Sequence, residues 1–261
     1  MTPAFEYVTY GRMDELHQLQ SPRTGARAEL NFILLSQAEE LLFRAVGDDL
    51  HTAREALGGD RVEDACAALA RAARTQRALL ACWEPMNGMT ADEFVAFREV
   101  LKNASGEQSV TYRSLEFLLG NRPERHVGTV RREGTPLLAE ELGRPSLYDT
   151  ALVWLAGRGC LDPSATPRAP WARQHELRAE IEDAWLEIYR DPGTHPQEFR
   201  LAEGLLEVAY QFSLWRAAHL LVVERMLGGK GGTGGTDGAS WLRVINEHRF
   251  FPELWTFRTR L

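Results

Sequence analysis

Residues 196–227 read PQEFRLAEGLLEVAYQFSLWRAAHLLVVERML, and this stretch does most to decide the fold class. Its apolar side chains recur at the intervals of three and four residues that place them on one side of an α-helix. A glycine-rich stretch, GGKGGTGGTDG at residues 228–238, follows directly. We therefore expect the most apolar long helix of the chain here, ending in either a flexible linker or a functional loop.

The same spacing recurs along the chain, whereas the period-two alternation that is typical of β-strands is nearly absent. It is clearest in residues 172–189, where one apolar stripe consists of Leu177, Ile181, Ala184, Trp185 and Ile188. Further helices are predicted at residues 27–46, 62–82, 91–101, 109–119 and 146–156. Breaks containing glycine, proline or small polar residues separate them at residues 103–106, 120–123, 128–145 and 163–170. The sequence therefore predicts an all-α fold, a helical bundle.

The composition limits the functions to be considered. Of the 261 residues, 44% are hydrophobic and 26% are charged, which predicts one compact domain spanning residues 1–261. The formal net charge is -7 and like charges do not form long runs, so we expect no nucleic-acid partner and no membrane surface as a partner. These properties favour chemistry on a small-molecule substrate.

The cysteines and the N-terminus indicate a compartment. Cys66, Cys82 and Cys160 are too few and too scattered for a disulfide framework, and no pair has the short spacing of a zinc or redox motif. Residues 1–20 contain acidic side chains and no continuous apolar run, so neither a signal peptide nor a membrane span is expected. We expect a reducing, cytoplasmic setting.

Two familiar motifs fail on inspection. Gly229, Gly231 and Gly234 match a dinucleotide-binding glycine pattern, but that pattern requires a preceding strand, and a helix is predicted there. His175 begins a sequence like the zinc motif H-E-x-x-H, yet Ala179 stands where the second histidine is required.

His219 is the side chain of the long helix with the most chemical interest. It lies on the same side of that helix as Phe212, Trp215, Val223 and Met226. A buried neutral imidazole can ligate haem iron while aromatic and aliphatic groups cover the porphyrin. A lone histidine on an apolar face is, however, more often a hydrogen-bonded core residue. Both interpretations are open at this point.

Two long sequence blocks help to choose between these interpretations of His219. They occur here in the same order as in a known family. Residues 219–238 read HLLVVERMLGGKGGTGGTDG, and residues 89–121 read MTADEFVAFREVLKNASGEQSVTYRSLEFLLGN. Both resemble segments of the tryptophan 2,3-dioxygenase superfamily, and weaker similarity touches residues 9–11, 30–42 and 241–255. Residues 122–196 are left without clear support. The resemblance implies an all-α bundle that encloses haem b, with His219 as the axial iron ligand and dioxygen as co-substrate.

The same resemblance implies how an amino-acid substrate would be held. Arg98 would bind the substrate carboxylate, because a guanidinium offers a planar pair of donors to two oxygens. Phe94, one turn earlier, would present its ring to the same ligand. Thr233, in the glycine-rich loop, would close over the ammonium and carboxylate groups. Otherwise, Arg98 would form a surface ion pair with Glu99 or Asp92, and the loop would be a mobile linker.

Other matching residues would complete the site. Tyr10 matches a tyrosine that reaches into a neighbouring subunit, which implies a homo-oligomer, in the family a tetramer, contacted by residues 1–25. Phe32 would lie against the indole, with Ser36 one turn further along a distal helix; the alternative is a helix that is simply buried. Ser105 matches a serine near the haem edge, and ordinary turn chemistry is its alternative.

Three departures from the family pattern affect the expected chemistry. Ser36 stands where tryptophan 2,3-dioxygenases have a distal histidine, Met13 replaces a tyrosine and Glu107 replaces a phenylalanine. We expect 2,3-dioxygenation of L-tryptophan or a β-substituted tryptophan to an N-formylkynurenine. The alternative is mono-oxygenation of tryptophan or β-methyltryptophan to a 2-oxindole in secondary metabolism. Alternatives of another class are a haem-binding protein without catalysis and a helical scaffold without haem.

Overall fold

The computed structural model describes residues 6–232 and 238–261. Within these ranges the chain forms fourteen α-helices, three short 3₁₀ helices and no β-strand, which confirms the all-α prediction. The α-helices are α1 (Glu6–Gly11), α2 (Met13–Leu16), α3 (Arg27–Gly58), α4 (Val62–Ala81), α5 (Trp83–Asn87), α6 (Ala91–Leu101), α7 (Val110–Leu118), α8 (Glu124–Glu133), α9 (Pro136–Leu142), α10 (Leu147–Gly157), α11 (Ala179–Arg190), α12 (Pro196–Leu227), α13 (Ala239–Glu247) and α14 (Glu253–Thr256). The 3₁₀ helices are Gly106–Gln108, Pro163–Ala165 and Phe257–Arg260. None of these described helices is both long and apolar enough to cross a lipid bilayer.

Helix α4 lies between the two longest helices, α3 and α12, and packs along both. Its buried side is rich in alanine, including Ala65, Ala68 and Ala72. Small side chains let neighbouring helix backbones approach closely. One close approach involves Gly204 of α12, where an added Cβ atom would lie 3.1 Å from Leu69 Cδ1. This three-helix layer forms the centre of the core and fixes where α3 and α12 run.

Helix α3 is longer than the sequence predicted. It continues to Gly58 rather than ending near residue 46, although Gly47 and two aspartates follow at that point. Val46, Leu50 and Leu57 form a continuous buried face across the expected break. The burial of this face outweighs the cost of one glycine inside a helix, about 1 kcal/mol.

Helix α11 begins later than predicted, at Ala179 rather than at residue 172. The buried stripe is present as expected from Ile181 onwards, but Leu177 lies outside the helix and is 49% exposed. The cause is a contact with the C-terminal region, because the backbone N–H of Arg178 donates to the carboxylate of Glu253. That bond holds the preceding chain in an extended conformation.

Residues 128–145, predicted as an irregular stretch, belong largely to helices α8 and α9. Helix α9 starts with Thr135 as its N-cap and Pro136 in its first turn, a typical pair of start signals. Val127 and Leu142 pack with Phe117 in a second, smaller core cluster. Gly134, Pro136 and Gly143 here mark helix ends rather than a loop.

A buried polar network joins α10, the chain before α11 and helix α14. Glu253 is fully buried and accepts hydrogen bonds from the Tyr148 hydroxyl at 2.9 Å and from His175 Nε2 at 2.8 Å. The Tyr148 oxygen in turn accepts a hydrogen bond from Trp185 Nε1 at 3.0 Å. His175, the residue of the failed zinc motif, therefore has a hydrogen-bonding role in the core.

We expect Tyr148→Phe to lower the free energy of unfolding by about 1–3 kcal/mol, because it removes a partner from two buried groups at once. Urea unfolding followed by circular dichroism measures this loss. Tyr210→Phe is the matched control, since Tyr210 is 46% exposed and has no hydrogen bond among the described residues. Equal stability of the two variants would contradict the assigned network.

Candidate functional site

The imidazole of His219 lies in a cluster of indole rings. It stacks face to face on Trp83 of α5, with ring centroids 4.7 Å apart and planes inclined by 9°. Trp215, one turn earlier on α12, lies 5.7 Å from the imidazole and 5.5 Å from Trp83. Because α5 packs against α12, both indoles are held in place by backbone elements. The orientation of the His219 ring is therefore restricted.

His219 is uncharged in this setting. Desolvation lowers its pKa to about 4, so the neutral form dominates at pH 7. Neither ring nitrogen has a hydrogen-bond partner among the described residues. His219 is partly exposed to solvent, whereas Trp83 Nε1 is buried without a partner in the described structure. Buried polar atoms are normally paired, and a neutral imidazole is the form that binds metals, so this cluster has the properties of a ligand site.

A second aromatic cluster joins α3 to α6. Phe32 lies 5.4 Å from Phe97 and 6.2 Å from Phe94, and the last two rings meet edge to face at 5.3 Å. Thr90 and Glu93 form a capping box that starts α6 and fixes its direction. The structure thus brings together Phe32 and Phe94, two residues predicted for the substrate pocket.

Arg98, on the same helix α6, contacts the glycine-rich stretch. Its Nη2 atom donates a hydrogen bond to the carbonyl oxygen of Gly231. In the part of the chain that the structure describes, it forms no ion pair with Asp92, Glu99 or any other carboxylate. The side chain is partly buried, and its remaining donors are available to another acceptor. Thr233 lies outside the described residues.

Helix α3 carries two polar side chains near these clusters. The Ser36 hydroxyl donates to the Phe32 carbonyl at 2.9 Å, one turn back in the same helix. One turn further on, Glu39 Oε1 accepts a hydrogen bond from Trp215 Nε1 at 3.1 Å. Burial raises the pKa of Glu39 to about 7. This contact ties α3 to α12 close to His219.

The other predicted residues lie in more peripheral settings. Ser105 caps the 3₁₀ helix at residues 106–108, because its hydroxyl accepts the backbone N–H of Glu107 at 3.3 Å. Tyr10, on α1, is 93% exposed and does not reach the clusters of its own chain. Met13 follows on α2 and is partly buried.

Sequence reasoning missed Trp83, Phe97 and Glu39 as parts of the site. Trp83 is far from His219 along the chain, and no spacing rule connects the two positions. Phe97 lies one turn after Phe94 on α6, and that spacing is a signal that could have identified it. Glu39 could have been noticed as an acid three residues after Ser36 on the same helix.

Comparison with known proteins gives consistent matches. The family model described as tryptophan 2,3-dioxygenase matches residues 2–145 and 172–261. Similar proteins include the tryptophan 2,3-dioxygenase of Caulobacter vibrioides, 37% identical over 263 residues and 100% of both chains. That of a Bradyrhizobium species is 39% identical over 98% of this chain and 92% of its own. That of Erythrobacter litoralis is 38% identical over 98% of each chain.

The family match also covers most of residues 122–196, the region for which the sequence resemblance gave no clear support. Of residues 122–196, only residues 146–171 fall outside the family model, and they comprise helix α10 and the chain that follows it. The His219 cluster, the phenylalanine cluster and Arg98 all lie inside the matched ranges.

Proposed function

This chain belongs to the tryptophan 2,3-dioxygenase family, and from that premise we propose that it is a haem-dependent oxidoreductase that inserts both atoms of dioxygen at C2 and C3 of the tryptophan indole. Relatives with this name align over nearly their whole length with the chain. The observation that carries the haem-dependent part of the proposal is His219, a neutral imidazole stacked on Trp83 with no hydrogen-bond partner among the described residues.

The residues around His219 fit a haem group. A ring nitrogen that makes no bond to protein is free to ligate iron, and the Trp83 stack restricts the plane of the ring. The indoles of Trp83 and Trp215 supply apolar surface of the kind that covers a porphyrin. Haem, when bound, supplies the activation of dioxygen.

Arg98 would hold the substrate carboxylate. Its guanidinium already bonds the Gly231 carbonyl, and donors that remain on the fork can reach two carboxylate oxygens. In this proposal the amino acid would lie between α6 and the glycine-rich loop, with Thr233 closing over the ammonium and carboxylate groups. Glycines on both sides of Thr233 in the sequence would let the backbone approach a ligand closely.

The indole ring would pack on the phenylalanine cluster. Phe32 and Phe94 supply an apolar surface at the junction of α3 and α6, the junction that Arg98 also adjoins. Holding the ring in one orientation converts an encounter with activated oxygen into a local reaction. Arg98 at one end and the phenylalanines at the other would orient indole C2 and C3.

Tyr10 and Ser105 have supporting roles in this proposal. Tyr10 is almost fully exposed, which suits a side chain that inserts into a neighbouring subunit of a homotetramer. Ser105 would lie near the haem edge, while its hydroxyl caps the following turn. Both assignments rest on the family resemblance.

A second outcome, mono-oxygenation to a 2-oxindole, is favoured by one observation. The Ser36 hydroxyl donates its hydrogen to the Phe32 carbonyl and has no basic nitrogen to offer the indole N–H. Insertion of one oxygen atom leaves the second to depart as water, which requires two electrons and two protons from a reductant. Both outcomes use the same residues to bind the substrate.

His219→Ala is expected to abolish haem retention, because it removes the proposed iron ligand. The measurement is the Soret absorbance per polypeptide after purification, with circular dichroism to verify folding. His17→Ala, at an exposed histidine, is the matched control and should retain haem. Full haem occupancy in the folded His219→Ala protein would refute the assignment.

Arg98→Leu is expected to raise KM for tryptophan about 30-fold, which corresponds to about 2 kcal/mol for a charge-assisted hydrogen-bonded pair. With tryptamine, which lacks the carboxylate, the variant and the wild type should differ little. Arg74→Leu, at an exposed arginine without an ion pair among the described residues, is the control. An equal loss with both substrates would instead assign Arg98 to loop structure.

Turnover under ¹⁸O₂ with mass spectrometry of the product separates the reaction classes. Two labelled atoms in an N-formylkynurenine are expected from 2,3-dioxygenation. One labelled atom in an oxindole would instead show that the reaction is mono-oxygenation. A haem spectrum that tryptophan perturbs, without any product, would show a binding protein rather than an enzyme.

A further inference from the structure

Glu39 links the helix of Ser36 to the helix of His219. It lies one turn after Ser36 on α3, and its hydrogen-bond partner Trp215 lies one turn before His219 on α12. The 3.1 Å contact between Glu39 Oε1 and Trp215 Nε1 therefore joins the two helices one turn away from both residues. Trp215 also lies against the rings of His219 and Trp83. A change in the charge of Glu39 can therefore affect His219 through one side chain, that of Trp215.

The surroundings of Glu39 do little to stabilise a negative charge. No basic side chain among the described residues forms an ion pair with it. The charged or titratable groups that act on it or respond to it are Glu40 on the same helix and the Cys82 thiol at the end of α4. His219 on α12 is neutral, and the Trp215 N–H is the one hydrogen-bond donor to Glu39 within the described structure.

Desolvation therefore outweighs the indole hydrogen bond and raises the pKa of Glu39 to about 7. The carboxyl group is protonated below this pH and ionised above it. Ionisation strengthens the bond to the indole N–H, because charge-assisted hydrogen bonds are about twice as strong as neutral ones.

We propose that Glu39 is a positioning residue that acts through Trp215 on His219 and places a pH-dependent charge beside the haem site. This inference rests on the proposed haem-dependent function. An ionised carboxylate near the iron stabilises its more positive, oxidised form. Raising the pH through the titration of Glu39 should therefore lower the midpoint potential of the ferric/ferrous couple.

The test is the midpoint potential of the haem-loaded protein, measured at intervals from pH 5.5 to pH 8.5. The wild-type potential should fall with rising pH, with the change centred near pH 7. Glu39→Gln keeps an oxygen acceptor for Trp215 but carries no charge, so its potential should lack this change and stay near the low-pH level of the wild type. Glu40→Gln, which removes the same charge one residue away, should keep the pH-dependent fall, with its centre moved to lower pH because the Glu40 charge helps to raise the pKa of Glu39.

Trp215→Phe supplies an independent readout. It removes the N–H that stabilises the carboxylate, so the centre of the pH-dependent change should move to higher pH. A purely structural role of Glu39 would weaken haem binding in Glu39→Gln without making the potential insensitive to pH. It would also leave the centre of the change in place in Trp215→Phe.

The possible results distinguish failure of the proposed function from failure of the proposed role of Glu39. Absence of a Soret band in the wild type would reject the proposed function itself. A haem-loaded wild type with the same pH dependence as Glu39→Gln would reject the role of Glu39 alone. If Glu39→Gln does not retain haem, the Trp215→Phe curve decides: a shift to higher pH supports the inference, and an unchanged centre overturns it.

Discussion

The stack of His219 on Trp83 is the contact on which the rest of the site depends. A histidine on an apolar helix needs either a hydrogen-bond partner or water for its ring nitrogens. In the described structure its ring stacks on an indole face, and desolvation keeps the ring neutral. Trp83 can provide this face because it begins α5 directly after α4, the helix packed between α3 and α12. The packing of α3, α4 and α12 thus positions the indole on which the neutral His219 imidazole stacks.

The proposed iron ligand and one proposed ring contact lie on the long helices, and the proposed carboxylate contact lies at the end of a short helix. His219 and Phe32 are inside α12 and α3, whose positions are set by the buried core. Arg98 is in the last turn of α6, and its contact is a backbone carbonyl of the glycine-rich stretch. Binding residues on loops and helix ends that a rigid core positions are a common arrangement in binding sites.

Sequence patterns predicted local structure well where burial and helix propensity agreed. The periodic stretch at residues 196–227 forms α12 with the expected bounds, and residues 91–101 form α6. The predictions were wrong where contacts with residues far away in the sequence determine where a helix begins or ends. Helix α3 passes Gly47 because a buried face continues beyond it, and α11 starts late because Glu253 holds the preceding backbone. The Trp83–His219 stack could not be predicted for the same reason. The spacing of residues within one helix gives no information about which ring of another helix they contact.

Ser36 and Glu39 together bear on what the chain can contribute to oxygen chemistry. The Ser36 hydroxyl gives its hydrogen to the Phe32 carbonyl, so toward the site it presents an oxygen that can only accept. The ionisable group nearest along α3 within this cluster is Glu39, and its described contact is with Trp215, on the helix that carries His219. Neither Ser36 nor Glu39 therefore offers a basic nitrogen to the N–H of a substrate indole. Under the proposed function, catalysis would then rely on orientation, with Arg98 and the phenylalanine cluster holding the indole ring in place.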